Sequence, residues 1–160
     1  MSGRRAVLKG LLAAPVLAAA ARAEARDYTS AAEVLAEIDR LEADLDARLT
    51  LLAAEVPAAA LLASSIRADH ARHHQTRLSL RRRLRLPEAA ESGRPAATEP
   101  RPPLSVDSLR ARAEELVHAH AEGLPALGDA SAVEALAQEM VDDARHLAIL
   151  QMWSEADQDG

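Results

Sequence analysis

The chain has no cysteine and no phenylalanine, and its 160 residues include one tyrosine (Tyr28) and one tryptophan (Trp153). Without cysteine there is no disulfide framework, no thiolate nucleophile and no zinc-thiolate site, so packing or a cofactor must hold the fold. With aromatics so scarce, the 49% of hydrophobic residues is mostly Ala, Leu and Val. Ala and Leu favour helices, and little here favours strands. A core built from them suits thin, closely packed helices. The length fits one domain.

The most specific local signal is at the start. Arg4-Arg5-Ala6-Val7-Leu8-Lys9 follows Ser2-Gly3 and precedes the apolar run Leu11 to Ala21. A basic segment followed by a run too short to span a membrane reads as a cleavable signal. Small-residue cleavage sites follow at Ala21-Arg22-Ala23 and Ala23-Glu24-Ala25. The arginine pair with Leu8 and Lys9 in register resembles the twin-arginine export motif, with Val7 where Phe is common. An ordinary secretory signal with a chance arginine pair is the alternative. Residues 1–25 are therefore expected to be a signal peptide, read by the twin-arginine translocase. The mature protein is expected to be periplasmic or secreted, with no transmembrane anchor.

Cleavage after Ala23 takes four of the 19 basic residues and none of the 25 acidic ones. The remainder carries about ten more negative than positive charges, which disfavours nucleic acid and anionic lipid as partners.

Residues 26–160 read as one domain of four helices. Ser30-Ala31-Ala32-Glu33 has the form of a capping box. Val34, Ile38, Leu41, Leu45, Leu49 and Leu52 then repeat at helical spacing. Val56-Pro57 breaks that helix and starts a second, running to about Leu86 with Leu62, Ile66, Leu80 and Leu84 inward. Arg81, Arg82, Arg83 and Arg85 crowd its last turn, where they complement the helix dipole. Residues 86–103 form a linker rich in Pro, Gly, Glu and Ala; Pro87 to Pro103 can reach about 55 Å, enough to cross a bundle lengthwise. A third helix spans about Leu104 to Glu122, with Val106, Leu109, Ala113, Leu116 and Val117 inward. Gly123-Leu124-Pro125 stops it. Ser131-Ala132-Val133-Glu134 reads as a second capping box, opening a helix to about Ala156. Two helix pairs with a long connection make an all-α four-helix bundle.

Polar residues fall on the faces that should be buried. At about 100° per residue, His146 is central on the face of Ala135, Leu150 and Trp153, and Glu139, Asp142 and Asp143 lie within about 60° of it. His73 lies between Ile66 and Leu80, with Asp69, His70 and Arg77 beside it. Glu42 lies between Ile38 and Leu45. His120 faces inward, whereas His74 and His118 face outward. Burying carboxylates and imidazoles is costly unless they pair or bind a metal. There is also an internal echo. Asp69-His70-Ala71-Arg72-His73 matches Asp142-Asp143-Ala144-Arg145-His146 at four of five positions.

This pattern resembles the ferritin-like family, in which two related helix pairs form the bundle. In that family each pair gives one Glu and one Glu-x-x-His to two iron or manganese ions. The resemblance covers about Ser30 to Trp153 and is nearest to exported, twin-arginine-tagged members. It implies that Glu42 takes the first-helix carboxylate position, and that His70-x-x-His73 and Asp143-x-x-His146 take the two Glu-x-x-His positions. The chain departs from the family at His70, at the shorter Asp143, and on the third helix, where Glu114 borders the inner stripe and Glu115 points outward. The leading expectation is a redox metal, iron or manganese, held by Glu42, His70, His73, Glu139, Asp143 and His146, with oxidase- or peroxidase-like chemistry to follow. A second is a metal-free bundle acting as an envelope interaction module, its inner polar residues joined in an Arg-carboxylate-His network. A third is non-covalent haem between His73 and His146. Self-association is compatible with each.

Overall fold

The computed structural model describes residues 28–87 and 104–158. The expected signal peptide and most of the expected linker lie outside the described residues. Within them are four α-helices and two short 3-10 turns, and no strand.

Helix α1 (Ala31–Glu55) opens on Ser30, whose hydroxyl accepts from the Glu33 N–H at 3.3 Å. The Glu33 carboxylate turns to Thr29, accepting from its N–H at 2.8 Å and its hydroxyl at 2.7 Å. The box therefore closes one residue earlier than expected. Extended Val56 ends the helix before a 3-10 turn, Pro57–Ala59, which runs into α2 (Ala60–Arg83). Arg85, at φ 54°, closes α2: Leu86 N–H donates to the Arg81 carbonyl and Arg85 N–H to that of Arg82. This doubly bonded stop usually carries glycine at the left-handed position.

Helix α3 (Val106–Gly123) begins on a capping box between Ser105 and Ser108. A second 3-10 turn, Leu124–Ala126, precedes α4 (Ala130–Gln158). The expected Ser131–Glu134 box is not what caps α4. The Asp129 carboxylate accepts from the Ala132 N–H at 2.8 Å and the Ser131 hydroxyl at 2.9 Å, so Ser131 serves as donor to the cap. An ionised carboxylate at the positive helix end is the stronger cap.

The α1 stripe is buried as its spacing requires, from Val34 to Leu52, and each large apolar side chain so placed contributes about 1.5–3 kcal/mol. Helix α1 packs on α2 and α3, and α4 packs mainly on α3 and more lightly on α2. Cross-helix contacts fix the directions. Asp39 meets Arg77 and Asp46 meets His70, so α1 and α2 are antiparallel. Gly123 lies against Val34, so α3 also opposes α1; a Cβ on Gly123 would collide with Val34 Cγ1. Ser154 bonds Asp107, and Arg83 pairs with Asp129. Helices α2 and α3 are thus parallel across the diagonal, with the end of α2 and the start of α3 at opposite ends of the bundle.

Two expectations need correcting, the outward placement of His118 and the dipole role of Arg81. His118 is buried, because residues 116–120 are enclosed all round where α3 meets α1, α4 and the Leu124–Ala126 turn. Arg81 is buried too and donates to Asp39 at 3.0 Å, so it works as an ion-pair partner and not as a solvated dipole complement. No described helix is long and apolar enough to cross a membrane.

Candidate metal centre

Helical spacing carries a polar layer into the middle of the core. Asp39, Glu42 and Asp46 recur on one side of α1; His70, His73, Arg77 and Arg81 on one side of α2; and Glu139, Asp143 and His146 on one side of α4. Helix α3 adds His120. All six residues singled out by sequence are buried, none more than 5% exposed, and His120 is completely enclosed. The layer divides into two parts.

The first part centres on Asp143. His70 Nε2 and His146 Nδ1 each stand 3.4 Å from its Oδ1, and His120 Nε2 stands 3.1 Å from its Oδ2. None of these atoms makes a hydrogen bond of proper geometry, although all are buried. The outer nitrogens of two rings are well held. His70 Nδ1 donates to Asp46 at 2.6 Å, and His146 Nε2 donates to Asp69 at 2.9 Å. Each carboxylate fixes the ring's orientation and leaves the inner nitrogen as a lone-pair donor when the imidazole is neutral. Carboxylate–histidine pairs of this kind are the usual outer support of a metal ligand. Donors about 2.0–2.1 Å from an ion stand about 2.8–3.0 Å apart on neighbouring corners of an octahedron and about 3.3–3.4 Å apart on those of a tetrahedron. The spacing around Asp143 lies within that span. The candidate donor atoms of His70, Asp143 and His146 all lie within 4.8 Å of one another, as do those of Glu42, His120 and Asp143.

The second part centres on Arg77. Its Nε donates to Asp39 at 2.7 Å, its Nη1 to Glu139 at 2.6 Å and to Glu42 at 3.1 Å, and its Nη2 to the other Glu42 oxygen. His73 Nδ1 donates to Glu42 at 3.1 Å. Glu42, His73 and Glu139 also have metal-like spacing, but a guanidinium already lies on their carboxylates. Such a fork is always charged and matches carboxylate geometry.

Electrostatics separate the parts further. Burial opposes charge on Asp143, yet His120, His146 and His70 hold its carboxyl well below the usual range. Burial likewise opposes the His70 imidazolium, but Asp143 and Asp46 outweigh it and raise His70 to about 10. Without an ion, a proton therefore sits where a metal would. At Glu139 burial wins over Arg77 and the carboxyl rises, whereas at Glu42 the bond from His73 and the charge of Arg77 overcome burial and lower it. Three buried carboxylates (Glu42, Glu139, Asp143) and the part-buried Asp39 face two guanidinium groups, so imidazolium or a metal ion offsets the rest.

The echoed sequences meet across α2 and α4. His146 bonds Asp69, and reciprocally His73 Nε2 lies 3.6 Å from Asp142. Arg72 pairs with Asp69 as Arg145 pairs with Asp142, and His70 faces Asp143. The two antiparallel pentapeptides thus pack as pseudo-twofold mates. Haem between His73 and His146 does not fit, because the His70 ring stands 6.1 Å from one and 5.5 Å from the other.

Sequence placed the inner residues but missed their supports. Asp46 lies one turn beyond Glu42, and Asp69 belongs to the echo; both have partners more than 20 residues away, which no local pattern shows. Beside the site, between α2 and α4, a cleft of about 160 Å³ is lined by Leu62, Ser65, Ile66, Asp69, Asp142, Arg145, His146 and Ile149. It reaches a ring of the Asp143 part and has room only for small molecules. Comparison with protein-family models, with curated proteins and with solved structures finds no match.

Proposed function

We propose that this is an exported, ferritin-like bundle that holds one redox-active metal ion, iron before manganese, on His70, Asp143 and His146. The observation that carries the reading is the convergence on Asp143 of two buried imidazole nitrogens, unpaired on their inner side and braced by Asp46 and Asp69 on the outer. Two histidines and one carboxylate form the open-sided set of non-haem Fe(II) sites, while manganese favours a richer oxygen set. When bound, the ion supplies one-electron chemistry toward dioxygen or peroxide. The protein's share is to hold the ligands, exclude bulk water and admit small molecules beside His146. The family's bridged two-ion site is not part of this reading, since Arg77 occupies Glu42 and Glu139 and α3 brings His120 in place of a glutamate. The two antiparallel helix pairs and their echoed pentapeptides support the ferritin-like assignment.

The closed Arg77 network and the raised pKa of His70 favour a second reading, a metal-free interaction module with a protonated core. One measurement separates them. The purified mature protein, incubated anaerobically with Fe(II), Mn(II) or Zn(II) and desalted, should retain one ion per chain by elemental analysis and melt at a higher temperature. No retained ion and no thermal shift with any of the three leaves the metal-free module. Export has its own check: Arg4→Lys with Arg5→Lys should trap the precursor inside the cell, and normal export of that variant would indicate an ordinary secretory signal.

A further inference from the structure

We infer that the Arg77 guanidinium is a built-in stand-in for a second cation, keeping shut a latent metal site formed by Glu42, His73 and Glu139. This deepens the one-ion reading but uses different ligands. The donor atoms of these three residues lie within 4.8 Å of one another, and all three are buried. Arg77 itself is 1% exposed and puts one nitrogen on each Glu42 oxygen and a shared one on Glu139. A carboxylate pair bridged this way sees a fixed positive charge where a divalent ion would otherwise sit. His73 Nδ1, the ring nitrogen on the Glu42 side, donates to Glu42 at 3.1 Å, while its Nε2 faces Asp142 at 3.6 Å, is buried and makes no hydrogen bond. With the ring proton moved to Nε2, Nδ1 is the donor this site would use. Glu139 Oε1 is likewise buried and unpaired, on a side chain whose other oxygen holds Arg77. The latent site thus keeps one unused donor atom, Glu139 Oε1, beside its surrogate cation.

A guanidinium cannot be exchanged, reduced or lost, so it fixes the number of ions the core takes. Arg77 is in this sense a specificity-determining residue, limiting the bundle to the Asp143 centre.

The test is metal stoichiometry in full mature chains, with Mn(II) and Co(II) alone as probes. Arg77→Gln should bind one ion more than the wild type by titration calorimetry and elemental analysis, and adding His73→Ala should abolish the extra ion. The gain is counted relative to the wild type, so a wild type that binds none would sink the Asp143 reading and leave this one standing if the variant binds one. Should Arg77→Gln not fold, the charge-balanced Arg77→Gln/Asp39→Asn pair keeps all three ligands and leaves an amide oxygen to accept from Arg81. A folded variant with unchanged stoichiometry overturns the inference. So does failure of both variants to refold in the presence of Mn(II), since the ion would then be unable to replace the guanidinium.

Discussion

Around Arg77, the carboxylates of Asp39, Glu42 and Glu139 face a cation that keeps its charge at any accessible pH; around Asp143, a carboxylate faces three imidazoles that can gain or lose theirs. Both groups are buried by the same four helices, and both must offset the cost of removing charge from water. In the Arg77 group every guanidinium nitrogen has a carboxylate partner, and one carboxylate oxygen, Glu139 Oε1, is left over. The Asp143 group is incomplete, with inner donor atoms on three rings and both carboxylate oxygens lacking a properly oriented partner. A closed ion network beside an open one implies that the closed part is structural and the open part is where an exchangeable cation, proton or metal belongs.

The harshest way to break this contrast is Arg77→Met, which fits the volume but leaves Glu42 and Glu139 buried without a cation. Removing one member of such a pair costs about 3–5 kcal/mol. Urea unfolding of the metal-free protein should show a loss of that order. Asp143→Asn should cost less, about 1–3 kcal/mol, because the facing imidazoles can shed protons to match. Equal losses in the two variants would mean that the two parts are not different in kind.

Acidity sharpens the contrast next. The pKa of His70 in the folded, metal-free protein is raised to about 10 from an ordinary value of 6.5. Its contribution to stability is therefore fully present below about pH 6.5 and is lost as pH rises through about 10. Thermal melts of the metal-free protein should fall across that window, and His70→Gln should flatten the fall. Metal runs the other way, since the ion needs neutral rings and binds less well as pH drops. The Arg77 guanidinium has no titration in this window, since against burial Glu42 prevails and raises it further. His73 beside it, raised against burial by Glu42 and Asp143, adds to the same fall. A melting temperature independent of pH between 7 and 10 would place the His70 proton wrongly.

A third step is His146→Ala. A ligand held only by the native state at 100 times its Kd adds about 2.7 kcal/mol. The wild type should gain that stabilisation with Fe(II), and the variant should gain none. Retention of the gain in His146→Ala would move the ion elsewhere in the core.

How much of this was legible beforehand depends on range along the chain. The α1 stripe from Val34 to Leu52 follows from its period, and the burial of Glu42, His73, Asp143 and His146 follows from their angle on the same helices. Period gives angle but not height, so it could not say that Glu42 and Glu139 share Arg77 while His70 and His146 share Asp143. Arg81 illustrates the limit. In the last turn of a helix an arginine reads as a dipole complement, and its actual partner, Asp39, is 42 residues away. His118 reads as outward because α3 has one apolar stripe, but the enclosure of residues 116–120 comes from the fold around it. The α4 cap lies two residues before the expected one: the Asp129 carboxylate takes the Ala132 N–H, and Ser131 donates to it instead of capping.

The finest distinction lies in the outer carboxylates. Asp46 and Asp69 touch no candidate ligand atom of the centre; they hold the far nitrogens of His70 and His146 at 2.6 and 2.9 Å. Asp39 has the corresponding place beside Arg77, at 2.7 Å from its Nε. Replacing each by Asn keeps shape and an acceptor oxygen while removing charge. At Asp46 and Asp69 the ring should lose basicity and orientation, and outer partners of this kind are worth about 10- to 100-fold in metal affinity. Asp69 is partly exposed, so unfolding of the metal-free protein should change little there. Asp46 helps to raise buried His70, so its variant should show a modest loss, well below that of Arg77→Met. At Asp39 the order should reverse: lower stability, because Arg77 and Arg81 lose a shared counter-charge, with metal affinity nearly unchanged. Three variants measured by calorimetric titration and urea unfolding thus give opposite signatures on the two sides of one core. If Asp39→Asn weakens metal binding as much as Asp69→Asn does, the Arg77 network is part of the centre, and the separation between the two parts fails.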